Sequence, residues 1–195
     1  MDRIRLELPA SLGEAWAEQE LRLGRSGLPP PYWAVAWPGG RALARYLLDE
    51  PAVVRGKRVL DFGSGSGVCA IAAALAGAGR VEAADIDPHA RAAIEAHAAL
   101  NAVSIVTIAD DLIGAASRWE VALAGDLWYE RVLAQRATAW LRTIAAEGTL
   151  VLLGDSGRAY FPRTGLEQVA SYRVECPASL EPAGMATAGV WRMGR

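Results

Sequence analysis

Regular alternation between short apolar runs and helical patterns after Pro51 is the feature that most restricts the fold of this sequence. Five short runs rich in Val, Leu, Ile and Ala are present, and stretches with helical periodicity follow the first, second and fourth of them. Strands that alternate with helices are typical of a parallel sheet with right-handed crossover connections. The predicted strands are 58–62, 80–85, 104–109, 120–125 and 149–155, and the predicted helices are 68–78, 88–101 and 129–148.

The last part of the chain departs from that alternation. Residues 169–176 and 186–193 are two strand-like runs, and only a connector containing Pro and Gly separates them. Consecutive strands with a short connection pair in antiparallel fashion. We therefore predict an antiparallel pair added at one edge of the parallel sheet.

The residues before the alternating region form an extension. Residues 11–23 show an amphipathic helical pattern, with Ser11 as the expected N-cap and Glu14 completing a capping box. The prolines of residues 27–40 fix an extended path, and residues 40–50 fit a helix that packs on the sheet. The predicted organisation is an N-terminal extension over residues 1–50 and an α/β domain over residues 51–195.

Composition excludes several classes of protein. The chain has 195 residues and a net charge of −2, so it lacks the basic surface that non-specific nucleic-acid binding requires. Its most apolar stretch, residues 68–79, is too short to span a bilayer, and its first residues lack the apolar core of a secretory signal. We therefore expect a cytoplasmic monomer with neither nucleic acid nor membrane as a partner.

The cysteines and histidines do not form a metal-binding pattern. Cys69 and Cys176 are far apart in the sequence, and His89 and His97 are separated by eight positions on one predicted helix. Neither spacing is typical of a zinc site. We expect Cys69 to be a small buried residue, both histidines to lie at the helix surface or partly buried, and no metal to be bound.

A glycine-rich segment, LDFGSGSG at residues 60–67, connects the first predicted strand to the following helix. Glycines permit a tight turn and let a ligand approach backbone N–H groups at a helix N-terminus, although a plain strand-to-helix turn is the alternative. Asp85 ends the second strand about 20 residues later, where a carboxylate accepts hydrogen bonds from both hydroxyls of a ribose. The residues predicted to bind a nucleoside-bearing cofactor here are Gly63, Ser64, Gly65, Gly67, Asp85 and Ile86.

Two cofactors are compatible with this arrangement, a dinucleotide and S-adenosylmethionine. A dinucleotide fingerprint usually places its third glycine one residue later than Gly67 and has no acid before its first glycine. Asp61 is suited to the ammonium of a methionine moiety, and it would repel a pyrophosphate. Asp110 and Asp111 follow the third strand and are suited to the adenine amine, although one of them is also expected to be a helix cap. The sequence favours S-adenosylmethionine.

The motifs VLDFGSGSG and ADIDP and the acids after the third strand resemble those of class I, seven-strand methyltransferases in order and spacing. The resemblance implies a Rossmann-like sheet of five parallel strands plus an antiparallel terminal pair. A more specific resemblance extends from Pro29 over nearly the whole chain. The segments PPPYWAVAWPGGRALARYLLDEP, RWEVALAGDLWYE, LLGDSGR and TAGVWRM are similar to the electron transfer flavoprotein β-subunit lysine methyltransferases.

That resemblance implies methyl transfer from S-adenosylmethionine to lysine ε-amino groups of a protein, with the electron transfer flavoprotein β subunit as the expected partner. The ribosomal-protein L11 methyltransferases share the DIDP-type motif, but they normally carry an Asn-Pro type motif where this sequence has GDLWY. Two alternatives stay open. One is a methyltransferase for a ribosomal protein or a small-molecule amine, and the other is a cofactor-binding module without activity.

The resemblance also implies roles for residues after the fourth strand. Asp126 and Tyr129 match an acid-x-x-aromatic motif and are the predicted catalytic residues, with Asp126 accepting a hydrogen bond from the lysine amine and Tyr129 bounding the lysine channel. Gly125 and Trp37 complete the predicted cofactor-binding set, the latter on a loop that covers the cofactor. Asp126 as a helix N-cap and Trp37 as a core anchor are the structural alternatives.

Two further residues are left with open assignments. Trp128 fits either the site or the core beneath the long helix. Residues 154–158 are expected to shape the substrate rim, where Arg158 is either part of that rim or an ordinary surface charge.

Overall fold

The computed structural model describes residues 3–177 and 183–194 and contains a single seven-stranded sheet. The strands are β1 (Arg58–Phe62), β2 (Arg80–Ala84), β3 (Val106–Ile108), β4 (Val121–Gly125), β5 (Leu150–Asp155), β6 (Leu166–Glu175) and β7 (Met185–Met193). Their order in the sheet is β3-β2-β1-β4-β5-β7-β6. The first five strands are parallel, while β7 runs antiparallel to both β5 and β6. The predicted sheet of five parallel strands and an antiparallel terminal pair is confirmed, and part of the connector within that pair, residues 178–182, lies outside the described residues.

In the described part of the chain, five α-helices accompany the sheet: α1 (Leu12–Leu23), α2 (Pro38–Asp49), α3 (Val68–Leu75), α4 (Pro88–Leu100) and α5 (Arg131–Ala146). The Ser11 hydroxyl accepts a hydrogen bond from the Glu14 N–H, which confirms the predicted cap of α1. Helix α2 begins two residues earlier than predicted because Pro38 occupies its first turn, where the missing N–H costs no hydrogen bond.

Helix α5 begins later than predicted, at Arg131 instead of residue 129. The Glu130 carboxylate caps it by accepting hydrogen bonds from the N–H groups of Val132 and Leu133, each at 2.8 Å. The alternative in which Asp126 caps this helix is therefore wrong. The carboxylate of Asp126 is left for other contacts, and Tyr129 lies on the segment between β4 and α5.

Both faces of the central strands are buried, which explains their nearly continuous apolar sequences. Val59 and Leu123 point to the face covered by α2 and α3, whereas Leu60 and Ala124 point to the face covered by α5. Cys69, on α3, is buried in the first of these two clusters, as predicted.

Helix α2 approaches the sheet more closely than side chains would normally permit. A Cβ atom on Gly154 would lie 2.8 Å from the Gly39 carbonyl carbon, and one on Gly125 would lie 2.9 Å from the Gly40 Cα. These glycines let the start of α2 meet the ends of β4 and β5 backbone to backbone. The N-terminus of α2 is thereby placed at the carboxyl edge of the sheet.

The segment before α1 crosses α4 and buries His97, which is 2% exposed. The two ring nitrogens of His97 lie 2.9 Å from the Ser66 carbonyl oxygen and 3.0 Å from the Glu7 carbonyl oxygen. Asn101 exchanges two hydrogen bonds with the backbone of Arg5. The expectation that His97 lies at the surface or only partly buried is wrong, because the sequence pattern of α4 does not show that the N-terminal segment covers it.

Within residues 3–177 and 183–194, none of the helices combines the length and the apolar character needed to cross a membrane. The same part of the chain contains no group of three or more His, Cys, Asp or Glu side chains arranged to hold a metal ion.

Candidate active site

A cavity of about 500 Å³ opens at the carboxyl edge of the sheet, beyond the ends of β1, β2 and β4. Residues 29–37 form part of its wall opposite the sheet. Its lining includes these residues predicted for the site: Trp37, Gly63, Gly65, Asp85, Ile86, Asp110, Asp111, Gly125, Asp126 and Tyr129. Asp61, Ser64 and Gly67 were also predicted for the site, but they lie behind this lining.

The glycine-rich turn between β1 and α3 forms the floor of the cavity. Gly63, Gly65 and Gly67 adopt left-handed conformations, with φ of 65°, 54° and 80°. The Asp85 carboxylate accepts a hydrogen bond from the Gly65 N–H at 2.9 Å and another from the Asp87 N–H at 3.0 Å. Asp85 therefore connects the end of β2 to the turn, and burial raises the pKa of its carboxyl group.

Asp61 supports the same turn from behind. Its carboxylate is 2% exposed and accepts hydrogen bonds from the Ser64 hydroxyl at 2.5 Å and from the Ala70 N–H at 3.0 Å. Burial raises the pKa of Asp61 to about 6. Gly67 packs against α4, where an added Cβ would lie 3.2 Å from the Ile94 Cγ1 atom. These contacts shape the turn, and direct contact of Asp61 with a ligand stays a prediction.

The acids after β3 form another part of the wall. The Asp111 carboxylate accepts a hydrogen bond from the Ile113 N–H at 3.0 Å and pairs with Arg136 at 3.0 Å. No helix lies in the described segment between β3 and β4, so Asp111 caps a turn, and the alternative in which Asp110 or Asp111 caps a helix is wrong. Asp110 is exposed at the cavity, and Ile86 presents a side chain that is 71% exposed.

Asp126 lies directly after β4 and is held at the N-terminus of α2. It has the left-handed backbone conformation (φ 54°), and it is only 4% exposed. Its Oδ2 atom accepts a hydrogen bond from the Gly40 N–H at 2.9 Å, and the Gly39 N–H also stabilises the charge. Burial raises the pKa of Asp126 to about 6, although Arg158 and these N–H groups oppose that effect.

The other carboxylate oxygen of Asp126 has weaker contacts. Its Oδ1 atom lies 3.5 Å from the Ser156 hydroxyl and 3.4 Å from the Arg158 Nε. The Arg158 guanidinium also lies over the Trp37 ring, 4.8 Å from its centroid. Since Arg158 lines the cavity and its side chain is 25% exposed, the interpretation of this residue as an ordinary surface charge is wrong.

The position of Arg158 follows from the sheet order. Asp155 ends β5, and β5 pairs with β4, so the segment GDSGR lies beside Asp126. Tyr32 was not predicted for the site, yet its ring lines the cavity. It lies in a Pro-rich segment whose path the sequence does not specify.

Aromatic rings complete the wall near Asp126. The ring centroids of Tyr32 and Tyr129 are 4.8 Å apart, and those of Tyr32 and Trp37 are 6.1 Å apart. The Trp37 indole N–H donates to the Tyr32 carbonyl at 2.8 Å. Trp128, by contrast, is fully buried and donates to the Thr138 hydroxyl, so it belongs to the core.

Comparison with known proteins relates this chain to methyltransferases. The family described as ribosomal protein L11 methyltransferase (PrmA) matches residues 43–152. The electron transfer flavoprotein beta subunit lysine methyltransferase of Danio rerio is 43% identical over 171 residues, which cover 84% of this chain and 66% of that protein. The same-named protein of Xenopus laevis is 43% identical over 168 residues, covering 83% of this chain and 68% of that protein. The match thus spans just under two thirds of the length of the fish protein.

A solved structure also shares the fold. N-methyltransferase NodS from Bradyrhizobium japonicum WM9, in complex with S-adenosyl-L-homocysteine, has a TM-score of 0.59 at 13% sequence identity. The alignment covers 92% of this chain and 98% of that one. At this identity the similarity shows a common methyltransferase-type fold.

Proposed function

This chain belongs to the family of the electron transfer flavoprotein β subunit lysine methyltransferases, and we propose that it transfers methyl groups from S-adenosylmethionine to lysine side chains of that β subunit. The observation that carries this proposal is the Asp126 carboxylate. One of its oxygens is fixed at the N-terminus of α2, the other lies beside Arg158, and the residue lines a cavity between the glycine-rich turn and an aromatic wall.

The cavity is suited to S-adenosylmethionine in size and in polar groups. Its volume of about 500 Å³ is typical of cofactor sites. Asp85 presents a carboxylate at the end of β2 for ribose hydroxyls, Asp110 and Asp111 offer acceptors for the adenine amine, and Ile86 provides an apolar surface. When bound, the cofactor would supply an electrophilic methyl group on a sulfonium.

Asp126 is suited to receive the substrate lysine. Free lysine has a pKa of about 10.4 and reaches the enzyme as an ammonium ion, whereas a nucleophile needs a neutral amine. The Oδ1 atom of Asp126 attracts the ammonium, accepts a hydrogen bond from its N–H, and orients the nitrogen lone pair after the proton has passed to water. Because Oδ2 is fixed by the Gly40 N–H, the carboxylate keeps its orientation throughout, and catalysis consists mainly of positioning and electrostatics.

Tyr32, Trp37 and Tyr129 would surround the lysine side chain. Aromatic rings contact the methylenes of a lysine and also tolerate a methylated ammonium through cation–π attraction. This wall therefore supports repeated methylation of one lysine. Tyr129 is 40% exposed, so a protein substrate can reach it from solvent.

A ribosomal protein is the second candidate substrate. It is favoured by the match of residues 43–152 to the family described as ribosomal protein L11 methyltransferase. The 43% identity to the flavoprotein-directed relatives extends over 84% of this chain, which is why we place the flavoprotein subunit first.

Intact mass spectrometry tests the proposal directly. Purified electron transfer flavoprotein and, in parallel, purified ribosomal protein L11 are incubated with S-adenosylmethionine and either the wild-type enzyme, Asp126→Ala, or the control Glu147→Gln, which removes an exposed carboxylate outside the cavity. Methyl additions on the β subunit that are lost only with Asp126→Ala would support the reaction, the substrate and the key residue. Methyl additions on ribosomal protein L11 alone would move the assignment to the second candidate, and an active Asp126→Ala would exclude Asp126 from its role.

A further inference from the structure

Arg158 is the cation nearest to the proposed acceptor carboxylate, and its contacts there are long. Charge-assisted hydrogen bonds between nitrogen and oxygen are usually about 2.7–2.9 Å long. The Nε of Arg158 lies 3.4 Å from the Asp126 Oδ1, and the Ser156 hydroxyl lies 3.5 Å from the same atom. Oδ1 is therefore attracted to a cation without a short hydrogen bond to it, whereas Oδ2 accepts a hydrogen bond of 2.9 Å from the Gly40 N–H.

Two other groups hold Arg158 in place independently of Asp126. Asp155 is 3% exposed, and its Oδ1 atom accepts hydrogen bonds from the Gly157 N–H at 2.6 Å and the Arg158 N–H at 2.8 Å. Gly157 has a φ of 102°, which favours glycine in this turn. The Arg158 guanidinium lies over the Trp37 ring. Its backbone and its charged end are thus both positioned by neighbours.

From this geometry we propose that Arg158 is a positioning residue with two tasks in lysine methylation. Without substrate, its guanidinium lies beside the Oδ1 atom of Asp126. When the substrate amine binds to Oδ1, the guanidinium moves away from this oxygen and keeps its contact with the Trp37 ring. Its positive charge then disfavours the ammonium form of the lysine and so increases the fraction present as neutral amine. This inference rests on the function proposed above.

The electrostatic reason concerns the proton that the lysine must lose. A lone carboxylate beside the amine stabilises the ammonium and thereby raises its pKa, which opposes methyl transfer. An amine hydrogen-bonded to Oδ1 would lie roughly 6 Å from the Arg158 Nε. At an effective dielectric constant of about 20, a charge at that distance lowers the amine pKa by about 2 units, and partial solvent exposure reduces this to ~1 unit.

Other ionisable groups also lie around the Asp126 carboxylate and affect the electrostatic potential at the substrate amine. Asp155 approaches from the end of β5 and adds negative charge, and the Cys69 thiol approaches from α3. Tyr129 lies on the third side. Burial raises the pKa of its hydroxyl, the neighbouring Tyr32, Asp85 and Glu130 raise it further, and Arg158 lowers it. Of these groups, Arg158 contributes the positive charge.

The test is the pH dependence of kcat at saturating S-adenosylmethionine and flavoprotein, measured by methyl incorporation. Arg158→Gln removes the charge, Arg158→Lys retains it, and Arg163→Gln is the matched control because Arg163 is exposed on the same loop and lines a different groove. We expect the acidic limb of the profile to move up by ~1 pH unit in Arg158→Gln. At pH values below the midpoint of the acidic limb, this shift corresponds to a loss of about tenfold in kcat without an increase in KM. In Arg158→Lys and Arg163→Gln the acidic limb should lie at the same pH as in the wild type.

An equal loss of kcat at every pH, or an unshifted profile in an otherwise normal Arg158→Gln enzyme, would overturn the proposal. Arg158→Met, which keeps the apolar stem over Trp37, answers the same question if the Gln variant does not fold. A wild-type enzyme that methylates no lysine would refute the proposed function itself. The two failures are therefore distinguishable.

Discussion

Replacing Asp126 with Asn should make the fold more stable while it suppresses methyl transfer. Asp126 is 4% exposed, and burial raises its pKa from 3.8 to about 6. A difference of ~2 pKa units corresponds to about 3 kcal/mol of unfavourable free energy for the ionised carboxylate. The carboxamide oxygen of Asn can still accept the Gly40 N–H, and Asn tolerates the left-handed backbone conformation found at this position.

Part of that gain is offset by the new amide. Its NH₂ group would face the Arg158 Nε and the Ser156 hydroxyl where a negative oxygen now lies, and a lost charge-assisted contact costs about 1–2 kcal/mol. The net expectation for Asp126→Asn is a free energy of unfolding that is higher by about 1–2 kcal/mol at a pH of ~8.

The stability difference between Asp126→Asn and the wild type should depend on pH in a defined direction. Below the unfolded pKa of 3.8, Asp126 of the wild type carries its proton in both the folded and the unfolded state, so the residue adds no pH dependence to the free energy of unfolding there. Between 3.8 and about 6, the unfolded wild-type chain releases this proton while the folded protein still holds it, so rising pH lowers the free energy of unfolding of the wild type. The advantage of the variant should therefore grow between these values and stay constant above them.

Urea unfolding followed by circular dichroism over this range measures the difference, provided that the m-values agree. Asp110→Asn serves as control, because it removes a carboxylate from the exposed side of the same cavity. A variant that is less stable than wild type at a pH of ~8, or an advantage that does not change with pH, would show that Asp126 is not an ionised buried group.

Three further predictions concern other residues. Gly154→Ala should lower the free energy of unfolding by about 2 kcal/mol or more in urea titrations, because its Cβ would meet the Gly39 backbone. Gly13→Ala is the control, because its Cβ would meet no atom within 4 Å and its φ is not positive. Asp85→Ala should weaken S-adenosylmethionine binding by tenfold or more in calorimetry, and an unchanged affinity would contradict its role. Tyr129→Phe should keep most activity if the ring acts by packing, whereas loss of activity equal to that of Tyr129→Ala would implicate the hydroxyl.

The sequence was sufficient for the parts of the fold that local patterns control. β1 was predicted at its observed bounds, since RVLDF is an apolar run ended by glycine. The Ser11 cap also followed from short-range spacing. The contact of Asp85 with a ribose stays a prediction. The antiparallel terminal pair was predicted, although β6 begins at Leu166, three residues earlier than its apolar pattern suggests.

What the sequence did not reveal are contacts between distant segments. The attachment of Asp126 to the N-terminus of α2 joins positions 86 residues apart, and the approach of Arg158 to the same carboxylate depends on the adjacency of β4 and β5. The burial of His97 depends on a segment 90 residues away. No periodicity encodes such pairs, because each partner taken alone resembles an ordinary polar surface residue.

The contacts of His97 link ligand binding at the glycine-rich turn to the position of the N-terminal segment. Ser66 belongs to the glycine-rich turn and Glu7 to the segment before α1, so one imidazole joins the cavity floor to the beginning of the chain. Where a ligand strengthens these contacts by ordering the turn, thermodynamic reciprocity requires that loosening the N-terminal segment weakens the binding of that ligand by the same factor.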